Sequence, residues 1–306
     1  AGSEVILSAQ TEALEITGGD GVDKITGGEG ADTIKGGKGD DIITVAAAGK
    51  ADSDTMDGEA GTADVLKLSA GKHTFGDDDK LKNIEKIETA TAGSEVILSA
   101  QTEALEITGS DGVDKITGGE GADTIKGGKG ADTIIGGKGD DTITGGEDND
   151  VLTGGDGTDT LEIDDADDIT STSTVNLTSV EVLQIDSRDA TAYNLKHLPT
   201  VTAVTANAAN GANAATISNM TAANSTVTVT ETGTEGIIGT MAIDGASDTL
   251  NLTIGTGLAG GSTHTLVSFI DHETINITVP ASTDGVTYTL TDMDATDATT
   301  ITLSGA

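Results

Sequence analysis

The chain has 306 residues, and its 52 acidic residues against 15 basic ones give a formal charge of −37 at pH 7. Such a field repels phosphate backbones and anionic lipid surfaces, which excludes nucleic-acid binding and indicates cations as partners. Cysteine and tryptophan are absent and only two Tyr and two Phe occur, so we expect no disulfides, no thiolate metal sites and a core built from aliphatic side chains.

The N-terminal sequence and the apolar runs bear on export and membranes. No apolar run approaches the roughly 18 to 20 residues that cross a bilayer, and we therefore predict no membrane insertion. The chain starts at Ala1 without a basic and apolar leader. We expect it to be an excised piece of a longer protein.

Internal repeats organise the first half of the chain. Residues 1–39 recur at 92–130 with a single difference, Gly19 against Ser110. A nine-residue period runs within each copy, with the pattern G-G-x-G-x-D-x-U-x, in which U is aliphatic. The pattern fills 18–44 in a first array and 109–162 in a second.

The pattern has a direct chemical interpretation. Glycines at positions 1, 2 and 4 allow positive φ and leave carbonyl oxygens uncovered, while the Asp at position 6 supplies a carboxylate. Oxygen donors of this kind are the ligands that calcium prefers. The last three residues of each unit predict a short strand whose middle side chain points inward.

Three sets of residues follow from this interpretation. The predicted carboxylate ligands are Asp23, Asp32, Asp41, Asp114, Asp123, Asp132, Asp141, Asp150 and Asp159. The predicted carbonyl ligands are the backbone oxygens of Gly19, Gly21, Gly28, Gly30, Gly37, Gly39, Gly119, Gly121, Gly128, Gly130, Gly137, Gly139, Gly155 and Gly157. The predicted inward side chains are Ile25, Ile34, Ile43, Ile116, Ile125, Ile134, Ile143, Leu152 and Leu161.

The nonapeptide pattern resembles the calcium-binding repeat of the RTX (repeats-in-toxin) family. The resemblance implies a parallel β-roll in which two nonapeptides make one coil, so that repeat n stacks on repeat n+2. On that basis we expect about five complete calcium sites, one in the first array and four in the second. Two departures leave points open. Asp148 replaces a position-4 glycine and puts the geometry of its turn in doubt, and Ser110 replaces a position-2 glycine, so that its turn binds weakly or only caps the stack.

A second pattern, an acidic residue followed by alternating aliphatics, occurs outside the arrays. It is found at 12–16, 85–87, 103–107, 181–185 and 273–277. Such alternation predicts strands with one buried face. The pattern resembles the rungs that flank RTX arrays in bacterial surface-layer proteins.

The remaining segments complete the domain organisation. Residues 45–91 form an acidic interrupting β segment with a degenerate turn at Gly58 to Asp64, where we favour a solvated turn over a calcium site. After about 165 the chain is rich in Thr, Ala and Asn, with strand-like alternation at 226–230, 250–254, 287–291 and 300–303.

These segments give four predicted domains, 1–44, 45–91, 92–164 and 165–306. For the acidic run at 164–168 a calcium site and a solvated turn both stay open. The predicted fold is all-β, with calcium-binding parallel β-roll or β-solenoid arrays followed by a Thr-rich β-solenoid or β-sandwich region.

Enzyme chemistry is not expected within these residues. His272 and Glu273 would begin an H-E-x-x-H zinc motif, but the last position holds Asn276. There is no G-x-S-x-G motif, and the glycine-rich loops lack the G-K-[ST] ending of phosphate-binding loops. We predict no catalytic residue and no organic cofactor, with Ca²⁺ as the only cofactor.

The resemblance implies a structural surface-layer (S-layer) protein that is exported by type I secretion and assembles into a lattice on a Gram-negative cell. Its expected partners are calcium ions and further copies of itself, and contact with cell-surface polysaccharide would lie outside this chain. Two alternatives stay open, an RTX module of a type I secreted enzyme or toxin, and an adhesin stalk. Both alternatives predict a folded monomer, whereas the S-layer hypothesis predicts two-dimensional sheets.

Overall fold

The computed structural model describes residues 2–45, 53–90, 92–148, 150–163, 176–178 and 180–185, and beyond 191 it describes only strand segments. The chain divides into two compact units, Ala1–Asp159 and Thr160–Ala306. Among the described residues, no helix has the length and the apolar composition of a membrane span.

The described residues of the first unit form short strands and one 3-10 turn at Asp78–Lys80. Its strands are β1 (Glu4–Ile6), β2 (Glu15–Thr17), β3 (Lys24–Thr26), β4 (Thr33–Lys38), β5 (Ile42–Val45), β6 (Thr55–Ala60), β7 (Val65–Leu68), β8 (Gly71–Thr74), β9 (Leu81–Lys82), β10 (Lys86–Thr89), β11 (Ser94–Ile97), β12 (Glu106–Thr108), β13 (Lys115–Thr117), β14 (Thr124–Lys129), β15 (Thr133–Lys138), β16 (Thr142–Glu147) and β17 (Val151–Asp156).

Within each array the strands alternate between two faces. One face has the order β1-β3-β5-β7-β10-β12-β14-β16. The other face is the sheet β2-β4-β6-β9 along the first array and the sheet β8-β11-β13-β15-β17 along the second. The pairings within these sheets are parallel, for example between β14 and β16 and between β15 and β17. Because successive strands of an array lie on alternate faces, the chain winds there as a coil of two strands per turn. Between the arrays β7 pairs with β10, and the two strands β8 and β9 lie between them in the chain. The predicted parallel β-roll is confirmed.

The register of the roll shows how the two arrays are joined. Within the arrays, strand partners are separated by one pair of nonapeptides, as for Thr124 opposite Thr142. In the segment between the arrays the coils are longer, and Thr33 lies opposite Thr55 while Ile42 lies opposite Val65. Residues 53–90 therefore interrupt the nonapeptide pattern and still add coils to the same roll.

The core is a stack of aliphatic side chains between the two faces. Each of the nine side chains predicted to point inward is at most 2% exposed. In the coils between the arrays, the same layer is filled by Met56, Leu66, Ile87 and Ile107, each 0% exposed. The position-8 aliphatic of every repeat therefore has its expected role, and burial of such side chains is the main stabilising term of a thin core.

The second unit is also built from parallel strands. They are β18 (Thr160–Ile163), β19 (Asn176–Thr178), β20 (Val182–Ile185), β21 (Ala192–Asn194), β22 (Ala203–Ala208), β23 (Thr216–Ser218), β24 (Ser225–Glu231), β25 (Ile237–Ile238), β26 (Met241–Ala242), β27 (Thr249–Ile254), β28 (Thr263–Leu266), β29 (Phe269–Ile270), β30 (Thr274–Val279), β31 (Thr287–Leu290), β32 (Met293–Asp294) and β33 (Thr300–Gly305).

The longest sheet of this unit has the order β18-β20-β22-β24-β27-β30-β33, and its strands pair in parallel. The strands predicted at 226–230, 250–254, 287–291 and 300–303 are confirmed as β24, β27, β31 and β33. Of the two folds left open for this region, parallel pairing supports the β-solenoid, since β-sandwiches are built from antiparallel strands.

Candidate metal sites

The predicted ligand aspartates form ladders along the roll. Each of the nine is at most 2% exposed and directly precedes a strand. Along the ladder, the backbone N–H of one aspartate donates to the Oδ1 atom of the aspartate on the next coil. The N···O distance is 2.8 Å between Asp123 and Asp141, and 2.8 Å between Asp132 and Asp150. One oxygen of each carboxylate therefore fixes the stacking of the turns.

The second carboxylate oxygen divides the aspartates into two classes. In the class that we call closed turns, Oδ2 accepts a hydrogen bond from the N–H at position 2 of the same turn, at 2.6 to 2.8 Å. In the class that we call open turns, Oδ2 is buried without a hydrogen-bond partner. The closed turns are those of Asp23, Asp32, Asp114 and Asp123. Open turns include those of Asp41, Asp132, Asp141 and Asp150.

The backbone at position 2 separates the same two classes. In the open turns that glycine is left-handed, with φ of +117° at Gly37 and +126° at Gly137. In the closed turns Gly19, Gly28 and Gly119 are not left-handed. An L side chain disfavours this conformation, which explains why the repeat requires glycine where the turn is open.

Further oxygens converge on the open carboxylates. A methyl group on Gly36 would lie 2.5 Å from Asp41 Oδ2 and 2.8 Å from the Gly58 carbonyl oxygen. Methyl groups on Gly127 and Gly136 would meet Oδ2 of their own aspartates in the same way, together with the carbonyl oxygens of Gly145 and Gly154. Carboxylate and carbonyl oxygens around a space closed to any side chain fit a calcium ion.

The position-1 carbonyl oxygens were missed by the sequence interpretation, which assigned positions 2 and 4. The two consecutive glycines that begin each repeat could have indicated these ligands, because a Cβ at position 1 would collide with the neighbouring oxygens. The position-2 oxygens of Gly19 and Gly119 accept hydrogen bonds from the N–H groups of Lys38 and Lys138, each at 2.9 Å. These two carbonyl groups therefore also form hydrogen bonds between neighbouring coils of the roll. Their assignment as calcium ligands remains a prediction.

The donor set explains why side chains alone do not reveal the sites. Within the described residues, no group of three or more His, Cys, Asp or Glu side chains converges as a metal site would require. The oxygens beside each open turn come from one carboxylate and from backbone carbonyls. A metal here would be held by stacked turns, so that binding and stacking are one process.

Burial disfavours the ionised form of the carboxyl groups in the open turns. Desolvation raises the pKa of Asp132 and of Asp141 to about 7 and that of Asp150 to about 6, with smaller contributions from neighbouring aspartates. The pKa of Asp23, in a closed turn, is lowered, chiefly by the hydrogen bond from the backbone of Gly19. An ionised open turn therefore needs a cation, whereas the closed turn of Asp23 is stabilised by the chain itself.

Asp64, Asp148 and Ser110 depart from the repeat pattern, and each has a defined place in the roll. The solvated-turn interpretation of Asp64 is wrong, because its side chain is 0% exposed and continues the ladder by accepting from the N–H of Asp41. Asp148 takes the left-handed conformation of the glycine it replaces, with φ of +83°. Ser110 Oγ donates to Asp114 Oδ2 at 2.8 Å and accepts from the N–H of Gly112, as a capping turn would. The run at 164–168 lies outside the described residues.

The expected single stacked pair of the first array is an underestimate. The ladder runs from Asp23 to Asp41 and on to Asp64, and on the other face from Asp32 to Asp54. The extra steps arise because the segment between the arrays continues the roll.

A pH dependence follows from these pKa values. A carboxyl group whose pKa is higher in the folded chain than in the unfolded one binds its proton more tightly when folded. Folded-state stability therefore increases as the pH falls from about 7 towards 4. We expect metal-free protein to melt at a higher temperature at pH 5 than at pH 8, where little of the β signal should remain even before heating; far-ultraviolet circular dichroism measures both.

Two controls accompany this measurement. In 10 mM calcium the order should reverse, since protons compete with the metal for the same carboxylates. The double variant Asp132→Asn, Asp141→Asn should lose much of the pH difference in the absence of metal. A metal-free melting temperature that is equal or lower at pH 5 would contradict the prediction.

Comparison with known proteins agrees with this geometry. Four stretches of the chain match the family model of the RTX calcium-binding nonapeptide repeat, at residues 17–48, 108–143, 127–161 and 135–169. No curated protein matches the chain. The chain thus carries RTX repeats, which are calcium-binding and typical of secreted proteins.

Proposed function

We propose that the chain is a structural, non-catalytic protein of a bacterial surface layer, whose folding and assembly depend on calcium. The observation that supports this most strongly is the length of the carboxylate ladder. It includes Asp64 and Glu85, which lie outside the residues matched by the repeat family. A module whose only role is the export of an enzyme does not require its non-repeat segments to continue the same ladder.

The expected affinity suits an extracellular calcium switch. Calcium modules outside cells bind with dissociation constants of about 10⁻⁴ to 10⁻³ M, and extracellular calcium is in the millimolar range. Inside the cell the sites would stay empty, and repulsion between the ladder carboxylates would keep the chain loose enough for type I secretion. Folding would then follow export to the surface of a Gram-negative cell.

Charge gives calcium a second role in assembly. Two copies with a formal charge of −37 repel each other, and exposed carboxylates such as Asp40, Asp111 and Asp140 lie in the turns along the roll. Divalent cations bound to such carboxylates lower the repulsion and bridge neighbouring molecules. Lattice formation would therefore require calcium beyond the amount that folds one chain.

Negative-stain microscopy and light scattering of chelated protein, before and after addition of 10 mM calcium, test the proposal. We expect sheets with a regular repeat after calcium and none with magnesium at the same ionic strength. The variant Asp132→Asn, Asp141→Asn serves as the control that disturbs the ladder. A chain that folds with calcium and stays monomeric at all concentrations would overturn the lattice proposal, and would favour the secreted enzyme module or the adhesin stalk.

A further inference from the structure

The segment between the two arrays contains an open turn that the nonapeptide pattern does not describe. Asp64 lies between β6 and β7, outside the stretches that match the repeat family. Its turn spans seven residues, from Gly58 to Asp64, whereas a repeat turn such as that from Gly36 to Asp41 spans six. The extra residue hides the turn from a search for nine-residue units.

Asp64 nevertheless has the properties of an aspartate in an open turn. Its side chain is 0% exposed, and its Oδ1 accepts from the backbone N–H of Asp41 at 2.6 Å. Its Oδ2 is buried without a hydrogen-bond partner. The backbone N–H of Asp64 donates to Glu85 Oε2 at 2.8 Å, so that the ladder continues onto the following coil.

Backbone oxygens from the turns before and after approach the free oxygen of Asp64. A methyl group on Gly61 would lie 2.5 Å from Asp64 Oδ2 and 2.6 Å from the Gly39 carbonyl oxygen. A methyl group on Gly58 would lie 2.5 Å from the same Oδ2 and would also collide with the Asn83 carbonyl oxygen. Each of the two carbonyl oxygens therefore lies close to Asp64 Oδ2 across a space that no side chain can occupy, and all three are oxygens of the type that calcium prefers.

The backbone around Asp64 is strained in a way that suits such a site. Glu59 and Asn83 are left-handed, with φ of 65° and 50°, although neither is glycine. Glu59 lies opposite Gly37, the left-handed position-2 glycine of the repeat turn below. Non-glycine residues adopt this conformation at a cost, and such strain tends to collect where a ligand is held.

We propose that Asp64 Oδ2 and the carbonyl oxygens of Gly39 and Asn83 bind a calcium ion in the segment between the arrays. A buried carboxylate oxygen without a donor carries a charge only if a cation compensates it. The column of turns from Asp23 to Glu85 would then be stabilised by metal through the irregular coils as well as through the repeats. The site does not depend on whether the chain assembles into a lattice.

Anomalous diffraction from crystals of the unmodified chain, grown with calcium and soaked in terbium, tests the site without any substitution. We expect a peak beside Asp64 in addition to peaks beside Asp132 and Asp141. Peaks in the repeats with none at Asp64 would overturn this inference and leave the calcium-binding repeats intact. Absence of peaks at all three places would overturn the calcium switch and this site together.

Ion counting by native mass spectrometry provides an independent measurement. The variant Asp64→Asn should bind one calcium ion fewer than the unmodified chain. The matched control Asp79→Asn removes one exposed carboxylate of the same segment, which is paired with Lys82, and should leave the count unchanged. An unchanged count in folded Asp64→Asn would overturn the site, and if that variant fails to fold, the diffraction measurement on the unmodified chain decides.

Discussion

Removal of calcium at pH 8 is expected to unfold the first unit of the chain. The carboxyl groups of Asp132 and Asp141 have a pKa of about 7 in the folded roll, against an ordinary value of 3.8. Holding each of them ionised without a cation costs on the order of 4 kcal/mol. Two such groups already approach the total stability of about 5 to 15 kcal/mol that is usual for a domain.

Calcium reverses this balance by mass action. A ligand at 100 times its dissociation constant stabilises the folded state by about 2.7 kcal/mol per site. At 10 mM calcium and a dissociation constant of about 10⁻⁴ M, four sites would contribute about 11 kcal/mol. The sum of the bound ions is therefore comparable with the whole stability of the unit, which is the condition for a folding switch.

Far-ultraviolet circular dichroism and calorimetry measure this switch directly. We expect little β signal in chelator at pH 8, full β signal in 10 mM calcium, and a melting temperature that rises steadily with calcium concentration. Magnesium should be a poor substitute, because it requires strict octahedral geometry and loses its water reluctantly. The same β signal and melting temperature with chelator and with calcium would contradict the prediction.

The core and the ladder were predictable because they depend on one short period. An aliphatic residue two positions after each Asp was expected to point inward, and Ile34 and Ile125 are 0% exposed. The same period placed the buried aspartates. Both features are local, since a strand of three residues fixes which side chains face the core.

The two classes of turn were not predictable from the repeat itself. The units at 118–126 and 127–135 share the sequence G-G-x-G-A-D-T-I, yet the turn of Asp123 is closed and that of Asp132 is open. The difference lies one coil earlier. Gly119 packs on the non-repeat residue Gln101, whereas Gly128 packs on Ser110 of a preceding repeat turn. A turn is open where another nonapeptide turn lies beneath it, and this partner is distant in sequence.

Asp64 was misjudged for a related reason. Its turn has one residue more than the repeat, and the insertion breaks the nine-residue period although the coil continues. A pattern search measures separation along the chain, whereas the ladder requires only that an Asp arrive at the start of the next strand. Asp64 meets this condition as the ladder partner of Asp41, although the two residues are separated by 23 positions instead of the 18 found within the arrays.

The substitution Gly136→Ala is expected to destabilise the second array through its packing and through its calcium site together. Gly136 is not left-handed, so that alanine is compatible with its backbone. The new methyl group would collide with Asp141 Oδ2 and lie 2.7 Å from the Gly154 carbonyl oxygen. It would occupy the space between two predicted calcium donors and push apart two coils that the ladder holds together.

The expected loss combines two effects. Overpacking of a filled interior costs about 1 to 3 kcal/mol, and loss of one ion at 100 times its dissociation constant costs about 2.7 kcal/mol more. Gly76→Ala is the matched control, because nothing lies within 4 Å of a Cβ at that position. This control should be neutral or slightly stabilising, since alanine restricts the unfolded chain.

Calcium titration followed by thermal unfolding separates the two effects. In 10 mM calcium, Gly136→Ala should lose stability and bind one ion fewer, whereas Gly76→Ala should match the unmodified chain in both respects. In metal-free protein at pH 5 the loss should shrink to the packing cost alone, because Asp141 is then protonated and no ion is present. A loss of equal size under both conditions would show that the methyl group acts only through packing, and that the space beside Gly136 holds no metal.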